Sequence, residues 1–278
     1  RLSSQGINVT GQILLEYIID PATKVPFPST TLINEKARKA GSKFYSWEDT
    51  KQQSRETTEA LAVWLGRALS QSGCYVSNWI LGNEVNSYKA WQYSGSMTKD
   101  EFYRSYAETM HIFYNGIKST NSDARFYVCT DNNWNNATYG YSSKNFLDTF
   151  HTTMDTMDST LEWGIAFHPY SSNLTSTAAN SFWKNSGVTG TDTSTYVNMS
   201  NLDVLINHVK KYNNGTAPDI ILSEMGYTPG TYGTLTEANK QLQAAALIYS
   251  YALAAKNDDI DAIMIRSLNQ TAEKPLLL

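Results

Sequence analysis

Short apolar runs alternate with stretches of helical periodicity along most of this chain, and no other feature of the sequence restricts its fold as strongly. Runs that fit β-strands end near residues 19, 84, 130, 167, 224 and 265. Most of the stretches between them carry apolar side chains at helical spacing. Strands separated by helices form parallel sheets through right-handed crossovers, and short apolar strands fit burial on both faces of such a sheet. The sequence therefore predicts an α/β fold with a parallel sheet.

The best-defined elements can be placed on the sequence. We expect a strand at residues 11–19 and helices at residues 54–70 and 201–212. Another helix begins after Thr98, because Thr98 and Glu101 have the spacing of a capping box. The apolar stripe of that helix comprises Phe102, Tyr106, Met110, Phe113 and Ile117. The remaining predicted elements are strands at 125–130, 163–167 and 261–265, and helices at 143–154 and 237–256.

The number of elements bears on the domain organisation. The chain has 278 residues, which is close to the usual length of a (β/α)8 barrel, but only six strand–helix units are recognisable. Residues 1–6 have the character of the end of a helix. Either two strands escape recognition, or the chain is part of a longer protein with two further units upstream, and we favour the second alternative. We expect residues 1–278 to form a single domain.

Composition excludes several classes of function. The formal net charge is −4 and no basic cluster occurs, so the chain lacks the electrostatic signature of a nucleic-acid-binding protein. No apolar run is long enough to span a bilayer. Cys74 and Cys129 are predicted to be buried free thiols, and no cluster of cysteine and histidine has metal-ligand spacing. We expect a monomer that is secreted or located at the cell surface, although the chain itself does not decide its location.

Two glutamates, each at the end of an apolar run, are the strongest indication of chemistry. Glu84 closes the run at residues 76–84, and Glu224 closes the run at residues 219–224. Burying an unpaired carboxylate inside a strand is costly. At the carboxyl end of a parallel strand, however, the same group faces the edge of the sheet at which α/β enzymes bind and react. Two carboxylates in such positions suggest acid/base or nucleophilic work on a glycosidic bond.

The motifs at these strand ends resemble those of the clan A glycoside hydrolases, which are retaining enzymes with a (β/α)8 TIM-barrel fold. The resemblance consists of Asn83-Glu84 at one strand end, His168-Pro169-Tyr170 at a later one, and Glu224 at the next. If the last strand is the eighth, these motifs fall on strands four, six and seven, as in that clan. Most of the chain is also similar to a bacterial family of glycosidase-like barrel domains of unknown function. The resemblance implies a TIM-type barrel of which this chain carries strands three to eight.

The resemblance also implies a role for each matching residue. Glu84 would be the acid/base and Glu224 the nucleophile. Asn83 would bind the 2-hydroxyl of the sugar, Tyr170 would hydrogen-bond Glu224, and His168 would line the same wall. A retaining mechanism requires the two carboxyl groups to lie about 5–5.5 Å apart. Each glutamate alone could instead cap a helix or pair with an arginine, and His168 and Tyr170 could be ordinary core residues.

Several further residues are candidates for substrate binding. Asp131 and Asn132 follow the strand at 125–130, and Asp131 could equally cap the next segment. The aromatic candidates to stack on sugar rings are Tyr88, Trp91 and Trp134. If they form subsites, their ring faces should be open to solvent; the alternative is that they pin their loops by burying those faces. Arg266 stands where the clan usually has an aromatic residue at the end of strand eight, and it could pair with an acidic sugar or with a carboxylate of the site.

The sequence therefore predicts a retaining glycoside hydrolase that acts on an oligo- or polysaccharide without a metal or organic cofactor. The alternative is a barrel that binds carbohydrate, or serves as a scaffold, without catalysing a reaction. An α/β-hydrolase is not supported, because the chain contains no Gly-x-Ser-x-Gly nucleophile elbow. A glycine-rich phosphate-binding loop is also absent from the sequence.

Overall fold

The computed structural model describes residues 2–19, 22–24, 26–27, 30–38, 42–71, 73–171, 186–229 and 236–266. Its strands are β1 (Thr10–Ile13), β2 (Ile18–Ile19), β3 (Pro26–Phe27), β4 (Ser70–Gln71), β5 (Cys74–Tyr75), β6 (Asn78–Leu81), β7 (Arg125–Thr130), β8 (Gly164–Phe167), β9 (Ile220–Met225) and β10 (Ala262–Ile265). Its α-helices are α1 (Gln52–Ala68), α2 (Lys99–Lys118), α3 (Ser143–Asp158), α4 (Asp203–Val209) and α5 (Glu237–Ala255). Short 3-10 turns lie at Ser3–Gln5, Thr30–Leu32 and Glu35–Ala37.

The chain divides into two compact units. The first consists of Arg1–Cys129, Tyr139–Tyr141 and Phe146–Trp163, and the second consists of Thr130–Thr138, Ser142–Asn145 and Gly164–Leu278. In the first unit β1 pairs in parallel with β6, and β6 pairs in parallel with β7. In the second unit β9 pairs in parallel with both β8 and β10. The predicted parallel pairing of strands that are separated by helices is confirmed within each unit.

Helix α2 shows how closely local sequence determines an element. The Thr98 hydroxyl accepts a hydrogen bond from the Glu101 N–H at 3.3 Å, and the Glu101 carboxylate accepts one from the Thr98 N–H at 2.9 Å. This is the predicted capping box. The five residues of the predicted stripe are all buried. Gly116 lies where α2 packs against α1. A Cβ added to it would lie 2.5 Å from the Ala62 Cβ, so the glycine permits the close approach of the two helices.

Two local predictions are wrong. The predicted strand at 11–19 ends at Ile13, because the chain then bonds to a different segment: Leu15 accepts from the Tyr45 N–H, and Glu16 bridges to Phe44. Within residues 2–6, Ser3–Gln5 form a 3-10 turn. Cys74 is exposed on the β4–β5 hairpin, whereas Cys129 is buried in β7 as predicted, and no disulfide joins the two cysteines.

The helix predicted at residues 201–212 is shorter than expected and spans Asp203–Val209. The Asn201 side chain accepts a hydrogen bond from the Asn198 N–H at 2.8 Å, which holds the preceding residues in a turn. Of the helices in the described part of the chain, none is long and apolar enough to cross a bilayer.

Candidate active site

Strand β9 presents Glu224 near its carboxyl end. Ile220, Ile221 and Leu222 are buried, and they anchor the strand in the core of the second unit. The Glu224 side chain keeps 22% of its surface exposed. The strand continues for one residue beyond the predicted end, to Met225. The carboxylate is therefore held on a rigid element and remains accessible to solvent.

Two donors from neighbouring strand ends bind one oxygen of this carboxylate. Tyr170, which follows β8, donates its hydroxyl to Glu224 Oε1 at 2.8 Å. Arg266, which follows β10, donates from Nη1 to the same oxygen at 2.8 Å. The Arg266 N–H also donates to the Met225 carbonyl at 2.9 Å, and this bond fixes the arginine backbone beside β9. Hydrogen bonds to a charged partner are shorter and stronger than neutral ones.

His168 lies beside the other oxygen. Its Nε2 is 4.0 Å from Glu224 Oε2, and the imidazole is almost completely buried. The rings of His168 and Tyr170 form an edge-to-face pair with centroids 6.4 Å apart. The structure thus brings together four of the residues selected from the sequence: Glu224, Tyr170, His168 and Arg266.

The protonation of the two donors follows from this contact. Burial, together with the Glu224 charge, raises the pKa of Tyr170 well above its usual value, so the phenol stays protonated and donates. Partial burial lowers the pKa of Arg266, but the Glu224 carboxylate and Tyr170 together raise it more, so the guanidinium remains charged. Both groups are therefore donors at any physiological pH.

Asn132 supports this cluster through the backbone. Its Nδ2 donates to the Tyr170 carbonyl at 2.6 Å, and the His168 N–H donates to the Thr130 carbonyl at 3.0 Å. These two bonds fix the path of the chain that carries His168 and Tyr170. The Asn132 amide thus helps to position the Tyr170 backbone within the second unit.

Glu84 lies in the first unit, on a turn that follows β6. The strand ends at Leu81, and Glu84 is half-buried three residues later. Gly82 has a φ of 78° and Glu84 a φ of 40°. A left-handed conformation is uncommon for a residue with a side chain, and such strain concentrates at functional sites. The turn places Glu84, with its strained backbone, three residues after the end of a buried strand.

Two residues that sequence reasoning did not select hold this turn. Cys129 of β7 accepts a hydrogen bond from the Glu84 N–H on Sγ at 3.2 Å, and its carbonyl accepts from the Val85 N–H at 2.9 Å. Gln12 of β1 donates from Nε2 to the Asn83 Oδ1 at 3.1 Å. Gln12 could have been noticed in the sequence, because it is a polar residue inside an apolar strand. Nothing in the sequence distinguishes Cys129 from an ordinary buried cysteine.

Asp131 matches the alternative in which it caps the following segment. Its carboxylate accepts hydrogen bonds from the Asn133 N–H at 2.9 Å, from Asn133 Nδ2 at 2.6 Å and from the Ser143 hydroxyl at 3.1 Å. The side chain is buried, and Ser143 is the first residue of α3. These contacts fix the loop that connects β7 to α3.

Trp134 does not provide the predicted stacking surface. Its side chain has no exposed surface, and its ring packs edge-to-face against His208 with centroids 5.1 Å apart. His208 in turn pairs with Asp192 at 2.9 Å. The prediction that Trp134 offers an open ring face to a sugar is therefore wrong, because helix α4 and its neighbouring loop cover the indole.

Tyr88 and Trp91 are both half-buried in the first unit. Tyr88 belongs to an aromatic cluster, with its ring centroid 4.9 Å from Tyr141 and 5.8 Å from Phe102. The Lys43 ammonium lies 4.4 Å from the centroid of the Trp91 ring. Both rings thus have partners within the protein.

Solved structures of known enzymes share the fold. The chain is similar to a fungal β-1,4-galactanase at 13% identity and a TM-score of 0.56, over 95% of this chain and 68% of that one. It is similar to a glucosidase from Croceicoccus marinus at 17% identity and a TM-score of 0.56, over 96% of this chain and 44% of that one. A psychrophilic family 10 endo-β-1,4-xylanase matches at 13% identity and a TM-score of 0.53, over 95% and 67%.

These similarities confirm the predicted fold class, which is α/β of the TIM-barrel type. The chain spans less than half the length of the glucosidase and about two thirds of the other two enzymes. Among curated proteins, none matches the chain in sequence. A family model matches residues 1–275. The chain therefore belongs to DUF5722, a family of unknown function.

Proposed function

We propose that this protein is a retaining glycoside hydrolase that acts on an oligo- or polysaccharide, with Glu224 as the nucleophile and Glu84 as the acid/base. In this mechanism Glu224 attacks the anomeric carbon while Glu84 protonates the departing oxygen. Water then releases the sugar from Glu224, and Glu84 accepts the proton from that water. No cofactor is needed for either step.

The observation that carries this proposal is the environment of the Glu224 carboxylate. A carboxylate nucleophile must be ionised, oriented and accessible. The Arg266 cation and the neutral Tyr170 hydroxyl both donate to Glu224 Oε1, and the side chain keeps 22% of its surface exposed. Glu224 is thus oriented by two donors and remains accessible to a substrate.

Asn83 is proposed to bind the 2-hydroxyl of the reacting sugar. The Gln12 amide donates to Asn83 Oδ1, which fixes the orientation of the Asn83 amide and directs its Nδ2 donor away from Gln12. A hydrogen bond to the 2-hydroxyl that strengthens in the transition state contributes to glycosidase catalysis. His168 lines the side of Glu224 opposite Tyr170 and Arg266 in this proposal.

The similar solved structures support a sugar as the substrate. They are a galactanase, a glucosidase and a xylanase, and each of these names denotes an enzyme that hydrolyses glycosidic bonds. Because the sequence identities are low, the particular sugar and linkage do not transfer to this chain. A monomeric state and a secreted or cell-surface location stay predictions.

The test is a screen of aryl glycosides and of plant, fungal and bacterial polysaccharides with the full-length protein. Wild type should release reducing sugar or aryl alcohol from at least one substrate, and Glu224→Gln should lose that activity. Glu162→Gln is a matched control, because Glu162 is exposed just before β8. Binding of a polysaccharide without hydrolysis, equal in wild type and Glu224→Gln, would favour the non-catalytic alternative.

A further inference from the structure

The two oxygens of Glu224 have different surroundings. Oε1 accepts hydrogen bonds from Tyr170 and Arg266, each at 2.8 Å. His168 Nε2 approaches Oε2 only to 4.0 Å, which is too long for a hydrogen bond. Within the described part of the chain, Oε2 accepts no hydrogen bond. One oxygen is therefore held and the other is available.

This asymmetry has a chemical consequence for a carboxylate nucleophile. An oxygen that accepts two strong hydrogen bonds has its lone pairs engaged, so it is the weaker nucleophile of the two. The same two bonds stop rotation of the carboxylate about its terminal torsion, which is otherwise a soft, roughly two-fold rotor. Oε2 therefore points in one fixed direction, as a near-attack geometry requires.

Arg266 is well placed to impose this geometry. Its backbone is hydrogen-bonded to Met225, the residue after Glu224, so both side chains start from adjoining strand ends. About half of the Arg266 side chain is exposed. The guanidinium fork therefore reaches Glu224 from the solvent side, whereas the buried Tyr170 reaches it from the core.

We infer that Arg266 is a positioning residue that, together with Tyr170, holds Oε1 of Glu224 and makes Oε2 the attacking oxygen. This inference rests on the proposed function. In the first step Oε2 forms a bond to the anomeric carbon and the bond from that carbon to the leaving oxygen breaks. The leaving oxygen takes the bond's electron pair and the proton of Glu84. In the second step a water oxygen bonds to the anomeric carbon while the bond from that carbon to Oε2 breaks, and the proton of the water passes to Glu84. The Glu224 carboxylate is thereby restored, and Oε1 keeps both donors throughout.

The experiment compares steady-state kinetics of wild type, Arg266→Ala and Arg266→Lys on the aryl glycoside that wild type cleaves fastest. Loss of the positioning bond should lower kcat of Arg266→Ala about 100-fold with little change in KM, the size expected for a misplaced reacting group. Arg266→Lys should retain more activity, because the ammonium still donates to Oε1. Arg125→Ala is the matched control, since Arg125 is also exposed but lies at the amino end of β7.

Chemical rescue adds a readout that a merely structural role would not change. Because Arg266 is half-exposed, guanidinium ion at concentrations well below denaturing ones should enter the vacated space in Arg266→Ala and restore part of kcat. It should not accelerate wild type or Arg125→Ala. Thermal unfolding should occur at the same temperature in all four proteins, because an exposed ion pair adds little stability.

Three outcomes would overturn the inference. Full activity of Arg266→Ala would show that the guanidinium does not position Glu224. A rise in KM with unchanged kcat would show that Arg266 binds the substrate, as it would for the carboxylate of an acidic sugar. A wild-type protein that cleaves no glycoside would overturn the proposed function and this inference with it, whereas the first two outcomes leave the proposed function intact.

Discussion

At the scale of single residues, identifiable contacts hold each of the two glutamates. Glu224 is fixed through its side chain by Tyr170 and Arg266. Glu84 is fixed through its backbone, by the bond from its N–H to Cys129 Sγ and by a φ of 40°. A nucleophile must keep one oxygen aimed at carbon, and the two donors to Oε1 hold Glu224 in this way. In the proposed mechanism Glu84 supplies the proton to the leaving oxygen.

Replacement of Glu84 by alanine should therefore distinguish leaving groups. Substrates with a poor leaving group need protonation and should lose about 10²–10⁴-fold in kcat/KM, whereas dinitrophenyl glycosides should lose far less. The measurement is kcat/KM for a series of aryl glycosides with graded leaving-group pKa. Equal losses for all leaving groups would show that Glu84 is not the general acid.

Trp134 gives a second prediction at this scale. Because the indole is fully buried against His208, Trp134→Ala should lower the free energy of unfolding by about 3–5 kcal/mol. Trp64, which is 62% exposed on α1, is the matched control, and its replacement by alanine should change stability by less than about 0.5 kcal/mol. Urea titrations followed by circular dichroism measure both. Equal stability of the two variants would contradict the burial of Trp134.

At the scale of elements, the accuracy of the sequence predictions depends on where the determining contacts lie. Strand β7 and the start of α2 were predicted correctly, because an unbroken apolar run and a capping box are local signals. The predicted strand at 11–19 failed because hydrogen bonds to residues 44–45 compete for the backbone at Leu15 and Glu16. The burial of Trp134 was not predicted either, because the helix α4 that carries His208, its packing partner, is distant from it in sequence.

The turn after β6 yields a prediction at this scale. Gly82→Ala should lower the free energy of unfolding by about 1–2 kcal/mol for the left-handed φ. A further loss of about 1–3 kcal/mol should arise because the new Cβ would lie 2.5 Å from Val85 Cγ1. Displacement of the turn should also lower activity on substrates with poor leaving groups more than on activated ones.

Gly73→Ala is the control for the Gly82 variant. Gly73 has a φ of 83°, but a Cβ there would have no neighbour within 4 Å. In Gly73→Ala the free energy of unfolding should therefore fall only by the cost of the left-handed φ, and the variant should keep full activity. If both variants are destabilised equally in denaturant titrations, the contact with Val85 is not what requires glycine at position 82.

At the scale of the whole molecule, the fold class could be predicted because alternation of strands and helices is visible along the entire chain. The six parallel strands, three in each unit, follow that alternation. The resemblance at the strand ends led to Glu224, Tyr170 and His168, and the departure from it at the last strand led to Arg266. The structure brings these four residues together. The hydrogen bonds from Gln12 to Asn83 and from the Glu84 N–H to Cys129 Sγ could not be predicted, because they depend on strand register, which a single sequence does not reveal.

Covalent trapping tests whether Glu224 is the nucleophile of a retaining reaction. A 2-deoxy-2-fluoro glycoside with a dinitrophenolate leaving group, matched to the sugar that wild type cleaves, should form a stable glycosyl-enzyme, because the fluorine slows its hydrolysis more than the good leaving group slows its formation. Mass spectrometry of the digested protein should find one fluoroglycosyl group, attached to Glu224. Attachment to any other residue, or no adduct from a substrate analogue of an active enzyme, would contradict the account.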